Sequence, residues 1–297
     1  MTSDITLFVN PTAGRGRGAR AVGPAARVLR GAGYSVRTVL GTDAADALRR
    51  ARAAVAGGTG ALVAVGGDGL VSLALQAVAG TDVPLGVVAV GTGNDYARAN
   101  GLPVRDPEAA GRLVARALKE DGGRPRDLGR VAGRYFGTVL ASGLDSRIND
   151  RANRMRFPTG RLRYDLALLA ELAALRPVPY RLRLDDGPVR EVEATLVAVG
   201  NTDSYGGGMR MCAGARADDG LFGVTVVGPC SRTTLLRVFP RVHRGTHLTH
   251  PAVTVLSAAR VTLEASGVTG YADGEPLGPL PLTAETVPEA VRLLGAR

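Results

Sequence analysis

Short apolar runs alternate with helical patterns over the first 120 residues of the chain. Four runs have the length and composition of buried strands, at 4–9, 35–39, 61–65 and 87–90. Between and after them, helical spacing predicts helices that end near Arg30, that run from a Thr42/Asp43 cap to Val55, and that cover 70–79 and 107–119. Strands that alternate with helices in this way predict a doubly wound, mostly parallel α/β sheet.

The pattern changes after a Gly- and Pro-containing segment at 121–125. Apolar and polar residues then alternate with period two in runs at 180–185, 193–199, 221–227, 252–256 and 260–265. Such runs, separated by turn residues, predict an antiparallel sheet and a sandwich. Helical stretches interrupt the series at 165–175 and 232–242, and a short helix is predicted at 288–294. We therefore divide the chain into an α/β domain at 1–125, a β-sandwich domain at 126–282 and a C-terminal segment at 283–297, which we expect to pack back on the first domain.

Two glycine loops follow neighbouring strands of the predicted parallel sheet. Gly66-Gly67-Asp68-Gly69 follows the run at 61–65, and Gly91-Thr92-Gly93-Asn94-Asp95 follows the run at 87–90. Glycines at the carboxyl end of a strand let backbone N–H groups approach an anion, and ligands of parallel sheets bind at this edge. Each Asp beside Gly is also ordinary turn chemistry. Together, however, the two loops indicate a site for phosphate and a divalent cation.

A third loop, Asn10 to Gly18, carries glycines and arginines that suit a phosphate cradle. It lacks the Gly-Lys-Ser/Thr ending of a P-loop and has no well-placed dinucleotide-binding fingerprint. A flexible strand-to-helix turn is the alternative interpretation.

Composition narrows the class of partner. The net charge of the 297 residues is +10 and is carried almost wholly by arginine, because Lys119 is the only lysine. An excess of basic residues favours nucleotides, nucleic acid or an acidic membrane face as partners. Aromatic residues make up only 4% of the chain, which argues against nucleic acid. Cys212 and Cys230 lack metal-site spacing, and no apolar run reaches the roughly 18 residues of a membrane span, so we expect a cytoplasmic protein with reduced thiols.

Four segments together resemble the diacylglycerol kinase catalytic family, in the branch of soluble bacterial lipid kinases and sphingosine kinases. In chain order they are Asn10-Pro11-Thr12-Ala13-Gly14, Gly66-Gly67-Asp68-Gly69, Gly91-Thr92-Gly93-Asn94-Asp95-Tyr96-Ala97-Arg98 and Asp273-Gly274-Glu275. The resemblance spans nearly the whole chain. It implies an α/β nucleotide-binding domain followed by a β-sandwich domain, with the active site in the cleft between them.

The resemblance also implies roles for individual residues. Glu275 corresponds to the catalytic base, while Asp68, Asp95 and Asp127 correspond to carboxylates that organise Mg²⁺. The residues expected to bind ATP are Asn10, Pro11, Gly14, Arg15, Thr38, Gly66, Gly67, Asp68, Gly69, Leu70, Ser72, Thr92 and Asn94. From the residues alone, Asp273-Gly274 is also the favoured two-residue turn of a hairpin, and Asp127 can be a solvated residue at the start of a strand.

Two further groups of residues have metal-binding and ordinary interpretations. In related proteins a structural Mg²⁺ is bound at a segment that corresponds here to Asp219 and the carbonyl groups of Arg216 and Leu221; without the resemblance, this is a turn before a strand. His243, His247 and His250 have a spacing that suggests zinc, but no Cys or carboxylate completes the site, so we favour a structural turn.

The first glycine loop departs from the family pattern, which continues with Thr and then with Asn and Glu two and three residues later. Leu70, Ser72 and Leu73 stand at these places. The backbone N–H of Leu70 is expected to stay available to a phosphate oxygen. These substitutions are expected to affect nucleotide affinity more than the chemical step.

A basic cluster precedes the apolar helix predicted at 165–175. It consists of Arg147, Arg151, Arg154, Arg156, Arg161 and Arg163. One interpretation is a solvated basic face beside a core helix. The other is a patch that contacts anionic headgroups at the inner face of a membrane.

We therefore expect an ATP- and Mg²⁺-dependent kinase that phosphorylates a hydroxyl of diacylglycerol or a related lipid alcohol. An NAD kinase-like phosphotransferase shares the Gly-Gly-Asp-Gly loop, but the segment from Gly91 to Arg98 is typical of the lipid branch. A non-catalytic lipid- or nucleotide-binding module is the alternative that Leu70 and Leu73 suggest.

Overall fold

The first part of the chain forms the predicted parallel sheet with helices on both faces. The computed structural model describes residues 4–155, 157 and 161–296. Its first elements are β1 (Asp4–Val9), α1 (Ala13–Gly31), β2 (Ser35–Leu40), α2 (Ala44–Ala56), β3 (Ala61–Gly66), α3 (Asp68–Val78), β4 (Leu85–Ala89), α4 (Asp95–Ala99) and α5 (Pro107–Glu120). The strands pair in the order β2-β1-β3-β4, and every pair is parallel.

Local sequence explains where these helices begin. The Asp43 carboxylate accepts a hydrogen bond from the Asp46 amide at the start of α2, and Asp106 does the same for Ala109 at the start of α5. The first turn of α1 is irregular, because Gly14, Arg15 and Gly16 all have positive φ. The regular part of α1 therefore starts only after the predicted loop.

The second part of the chain forms the predicted antiparallel sandwich. Its elements are β5 (Arg124–Val131), β6 (Arg134–Phe136), β7 (Val139–Gly143), α6 (Leu144–Arg154), α7 (Arg161–Ala173), β8 (Val178–Leu184), β9 (Arg190–Ala194), β10 (Leu196–Gly200), β11 (Phe222–Val227), α8 (Arg232–Val242), β12 (Val253–Ala258), β13 (Arg260–Glu264), β14 (Thr269–Ala272), β15 (Glu275–Pro279) and β16 (Leu282–Leu293). Within the described residues, one sheet has the order β12-β11-β10-β7-β14-β15, and all its pairs are antiparallel.

The prediction of a C-terminal helix at 288–294 is wrong, because these residues continue β16. This strand pairs antiparallel with β13 and β5, and Leu293 pairs parallel with Leu85 of β4. Backbone partners on both sides outweigh the weak preference of a single helical turn. As a result, one sheet runs β2-β1-β3-β4-β16-β13-β8-β9 through both parts of the chain. The division at 125 and 282 stays a prediction, since this sheet crosses both positions.

Four buried regions hold these layers together. Apolar residues cover both faces of the parallel sheet, and a separate core fills the sandwich, where the rings of Phe136 and Phe222 stack with centroids 5.7 Å apart. Helices α6, α7 and α8 pack on the outer face of the six-stranded sheet through Leu144, Leu172 and Val242. Among the helices described, none combines the length and the apolar composition needed to cross a bilayer.

The position of β16 leads to a stability prediction for Leu293→Ala. The Leu293 side chain is fully buried where the parallel strands meet β16. Its truncation should lower the free energy of unfolding by about 2–5 kcal/mol, because a cavity forms in a packed core. Urea denaturation measures this change, with Leu162→Ala as the control because Leu162 is 55% exposed. Equal effects of the two substitutions would contradict the placement of β16.

Candidate active site

The two glycine loops touch backbone to backbone at the carboxyl edge of the parallel sheet. A Cβ atom on Gly91 would lie 2.5 Å from the Cα of Gly67, so only glycine fits there. The Val90 amide also donates a hydrogen bond of 2.8 Å to the Gly66 carbonyl. The loops predicted from the sequence to share one sheet edge therefore form a single surface.

Asp68 lies in the first turn of α3 and ties this helix to the second loop. Its Oδ2 atom accepts a hydrogen bond of 2.7 Å from the Asn94 amide, and its Oδ1 atom accepts one of 3.3 Å from the Tyr96 amide. The amides at the start of a helix have no acceptor within the helix. The N-terminus of α3 therefore faces the same space as the Asp68 carboxylate and favours an anion there.

Asp95 is held by backbone amides from the other part of the chain. Its Oδ1 atom accepts hydrogen bonds from Gly207 at 2.7 Å and Gly208 at 3.2 Å. Gly206, Gly207 and Gly208 have φ values of 62°, 85° and 95°. Glycine permits these positive φ values, and the adjacent N–H groups of Gly207 and Gly208 converge on one carboxylate oxygen. The loop that contains Gly206 to Gly208 therefore closes over the second glycine loop.

The carboxylates of Asp68 and Asp95 converge on Gly93. A Cβ atom on Gly93 would lie 2.9 Å from Oδ2 of Asp68 and 3.1 Å from Oδ2 of Asp95. Burial, and then the charge of Asp68, raise the pKa of Asp95 above its usual value. A divalent cation would relieve this like-charge repulsion, and Mg²⁺ is commonly bound by one or two carboxylates together with substrate phosphates. The residues thus fit a magnesium ion shared with a nucleotide, although the described chain contains no cluster of three or more metal-ligating side chains.

Asn94 shapes the second loop from within. It is buried with a left-handed φ of 58°, its Oδ1 atom accepts a hydrogen bond of 2.7 Å from the Gly91 amide, and its Nδ2 atom donates one of 3.2 Å to the Gly91 carbonyl. Thr92 is exposed at the tip of the loop. The expected contacts of both residues with a nucleotide stay predictions.

The loop from Asn10 to Gly18 packs against the end of β4. A Cβ atom on Gly14 would lie 2.1 Å from the Val90 carbonyl oxygen. Arg17 donates hydrogen bonds to the carbonyls of Val90 at 3.1 Å and Gly91 at 2.9 Å. The sequence analysis missed Arg17, since nothing in the sequence distinguishes it from the other arginines nearby. Pro11 and Arg15 are exposed on this loop, and the side chain of Asn10 holds Thr12.

Three other residues expected to bind ATP lie away from this surface or face inward. Thr38 is exposed on the edge strand β2, in a groove with Arg37 and Arg50. Leu70 and Ser72 are buried, at 6% exposure each. The expectation that the Leu70 amide stays free for a phosphate is wrong, because this amide donates a hydrogen bond of 3.0 Å to the Gly67 carbonyl.

Glu275 reaches the site from the hairpin of β14 and β15. Its Oε1 atom lies 3.9 Å from the position that a Cβ atom on Gly69 would occupy, so the carboxylate faces the first turn of α3. Asp273 fixes the hairpin by accepting hydrogen bonds of 2.8 Å from the amides of Gly137 and Thr138. The segment is therefore both a hairpin turn and the support of an exposed carboxylate.

Asp127 clamps three segments of the chain together. It is buried, and its carboxylate accepts hydrogen bonds from the Gly220 amide at 2.8 Å and the Glu289 amide at 2.9 Å. Nearby, Asp219 accepts a hydrogen bond of 3.0 Å from the Leu221 amide, as in an ordinary turn. The magnesium roles of Asp127, and of Asp219 with the carbonyls of Arg216 and Leu221, stay predictions.

The sequence analysis also missed a carboxyl group behind the Gly206–Gly208 loop. Asp145 lies in the first turn of α6, and burial raises its pKa to about 6, while the neighbouring Tyr205 hydroxyl lowers it in part. Burial raises the pKa of Tyr205 well above its usual value. No local pattern in the sequence indicates that these two side chains are neighbours.

Comparison with known proteins identifies relatives of this arrangement. Residues 4–131 match the model of the diacylglycerol kinase catalytic domain, and residues 138–295 match that of the YegS C-terminal NAD kinase beta sandwich-like domain. A diacylglycerol kinase of Mycobacterium tuberculosis is 45% identical over 295 residues, which cover 99% of this chain and 95% of the relative.

Solved structures share the fold at lower sequence identity. The crystal structure of a diacylglycerol kinase from Bacillus anthracis has a TM-score of 0.73 at 21% identity, covering 98% of this chain and 96% of the other. The crystal structure of an NAD kinase from Archaeoglobus fulgidus in complex with ATP has a TM-score of 0.53 at 13% identity, covering 99% of this chain and 93% of the other.

The contact across the cleft predicts a change in hydrogen exchange on Asp95→Ala. The Gly207 and Gly208 amides should lose protection by about ten-fold or more, because they lose a charged acceptor. Asp185→Ala is the matched control, since Asp185 also accepts hydrogen bonds from two successive amides, those of Ala259 and Arg260. The Asp185→Ala control should lower protection only at the amides of Ala259 and Arg260. Unchanged exchange at Gly207 and Gly208 in Asp95→Ala would contradict the contact.

The raised pKa of Asp145 predicts a pH-dependent effect of Asp145→Asn. The folded-state pKa of about 6 exceeds the ordinary aspartate value of 3.8, so the folded protein binds this proton more tightly than the unfolded chain. The cost of burying the charged form is therefore present at about pH 8 and disappears as the pH falls through the folded pKa. Asp145→Asn should raise the thermal midpoint at about pH 8 but change it little at about pH 4. Thermal melts at the two pH values test this, and an equal shift at both would contradict it.

Proposed function

The chain belongs to the diacylglycerol kinase family of ATP-dependent lipid kinases, and we propose that it transfers the γ-phosphoryl group of ATP to a hydroxyl of diacylglycerol or a related lipid alcohol. The observation that carries this proposal is the position of Glu275. Its carboxylate, supplied by the six-stranded sheet, faces the N-terminal turn of α3, which also bears Asp68. A carboxylate so close to an anion site suits a base that acts on an incoming hydroxyl group.

The ATP phosphates would lie on backbone amides rather than on a lysine. The first turn of α3 offers amides with no acceptor in the helix, and the irregular turn at Gly14, Arg15 and Gly16 packs nearby against the end of β4. The exposed guanidinium of Arg15 adds positive charge, and the Thr92 hydroxyl is available at the tip of the second loop. This arrangement supports binding of a triphosphate at the carboxyl edge of the parallel sheet.

Asp68 and Asp95 would hold the magnesium ion that accompanies the nucleotide. Magnesium would neutralise charge that develops on the phosphates during transfer. The Gly207 and Gly208 amides hold Oδ1 of Asp95, and the Oδ2 atoms of Asp68 and Asp95 both lie beside Gly93. Asp127 would support this region from the clamp described above, and Asp219 with the carbonyls of Arg216 and Leu221 would bind a second, structural ion.

The chemical step then asks two things of the protein. The lipid hydroxyl must lie in line with the γ-phosphorus, and Glu275 must accept the hydroxyl proton while the new oxygen–phosphorus bond forms. The bond between the γ-phosphorus and its bridging oxygen breaks, and ADP leaves. Since little covalent chemistry is required, positioning and charge neutralisation would account for most of the rate.

The lipid substrate would reach this cleft from an anionic membrane surface at the cytoplasmic face. Leu162, Leu166 and Leu169 are exposed along one side of α7, at a spacing that places them on a single face. Of the basic cluster predicted beside this helix, Arg151 pairs with Glu171 at 2.5 Å, so its charge is locally balanced. Arg156 and the side chain of Arg161 lie outside the described residues.

Neither alternative function is favoured by a specific observation. The NAD kinase structure shares the fold alone at 13% identity. The non-catalytic alternative depended on Leu70 and Leu73, yet Leu70 lies in the core against Gly66 and Leu73 packs on the same core. These two substitutions alter packing behind the helix more than the surface that would face the phosphates.

Glu275→Gln tests the proposed chemistry. With γ-labelled ATP, Mg²⁺ and mixed micelles that contain diacylglycerol, the wild-type protein should label the lipid, and the variant should be slower by about 10²- to 10⁴-fold because the base is lost. ATP affinity should change little. Glu285→Gln is the matched control, since Glu285 is an exposed carboxylate that pairs with Arg130. Label in NAD instead of lipid, or full activity of Glu275→Gln, would contradict the proposal.

A further inference from the structure

Helix α8 has an outward face that no described part of the chain covers. Leu236 is 54% exposed and Phe239 is 38% exposed, whereas Leu235 and Val242 pack towards the six-stranded sheet. We call this face, with Arg232, Arg237, Arg241 and Arg244 beside it, the α8 surface. It lies in the same outer layer as α6 and α7.

The charge of the α8 surface is strong and locally unbalanced. The sequence contains no Asp or Glu from residue 220 to residue 263. Among the ion pairs formed by described residues, none involves any of the four arginines of this surface. The α8 surface therefore differs from the basic cluster beside α7, where Arg151 is paired with Glu171.

The order of residues along α8 separates this charge from the apolar side chains. Arg237 and Arg241 lie one helical turn apart, with Arg244 just past the end of the helix, and Leu236 and Phe239 form a neighbouring stripe with helical spacing. A basic helix with an exposed apolar stripe is the type that lies in the headgroup region of a membrane.

The C-terminal end of α8 is tied to the loop that holds Asp95. The Arg210 amide donates a hydrogen bond of 3.1 Å to the Val242 carbonyl, and Arg210 directly follows the turn closed by hydrogen bonds between Tyr205 and Met209. Gly207 and Gly208 of that turn bind the Asp95 carboxylate. Anything that docks on α8 is thus connected through a few residues to the cleft.

We propose that the α8 surface docks the protein on an anionic lipid bilayer, with Leu236 and Phe239 entering the headgroup region and the arginines binding lipid phosphates. This docking proposal rests on the proposed function in one respect: the lipid alcohol substrate is found in a bilayer. The apolar stripe favours a bilayer over a nucleic acid. A nucleic acid would contact the arginines but would offer no apolar region to cover Leu236 and Phe239. A second copy of the chain fits poorly, because a two-fold contact would bring two sets of unpaired arginines together.

Vesicle binding tests the α8 surface without reference to catalysis. The protein should bind vesicles of equal parts phosphatidylcholine and phosphatidylglycerol and leave pure phosphatidylcholine vesicles largely unbound. Each arginine near an anionic surface contributes about five-fold to binding, so R237Q/R241Q should weaken it about 25-fold. R112Q/R116Q is the control, since it removes the same charge from the exposed helix α5. Leu236→Ser with Phe239→Ser should also weaken binding while leaving the thermal midpoint unchanged.

Separate readouts distinguish this proposal from the proposed function. Kinase activity on a short-chain, water-soluble diacylglycerol reports the chemistry alone and should be the same in all three double variants. If the wild type binds vesicles through α8 but phosphorylates no lipid, the proposed function fails and the docking surface stands. The docking proposal is overturned if the control weakens vesicle binding as much as R237Q/R241Q does. It is also overturned if the L236S/F239S variant binds vesicles normally and instead converts a dimer to a monomer in sedimentation, or if the arginines bind duplex DNA in preference to vesicles.

Discussion

The contact between Asp95 and the Gly207 and Gly208 amides is the constraint on which the site depends. Burial and the charge of the neighbouring Asp68 both disfavour a charged Asp95 and raise its pKa. A buried carboxylate persists only where hydrogen bonds replace its lost water. Two amides from a loop 112 and 113 residues away in the chain supply them. The charged form of Asp95 in the second glycine loop is therefore stabilised by amides from the other part of the molecule.

Closure in turn depends on the sheet that runs through both parts of the chain. Strand β16 pairs with β13 and β5, and its last residues join β4 of the parallel sheet. The Glu289 amide, at an irregular point of the same strand, binds Asp127, whose other oxygen holds the Gly220 amide. Backbone pairing and one buried carboxylate thus fix how the sandwich sits against the parallel sheet. This placement of the sandwich sets the distance between the Glu275 carboxylate and the first turn of α3.

The sequence predicted the features whose causes are local. Glycine loops after apolar strands, the cap at Asp43, and the Asp273-Gly274 turn each depend on a few consecutive residues, and each is present. The family resemblance then related those segments to one site. Contacts between distant residues were not accessible in this way. Nothing near Asp127 in the sequence indicates a hydrogen bond to an amide 162 residues away, and residues 288–294 give no sign that strands lie on both sides of them.

Leu70 shows why a departure from a family pattern cannot be judged from its position beside a motif. The residue follows the Gly-Gly-Asp-Gly loop, yet its side chain packs on Gly66 and its amide is bound to the Gly67 carbonyl. An anion at the start of α3 would be held by the preceding amides and by the helix dipole, neither of which depends on the side chain at position 70. A leucine there removes a hydroxyl group while it adds apolar packing beneath the loop. The backbone geometry of the loop can therefore persist through this substitution, because the Leu70 side chain packs into the core against Gly66.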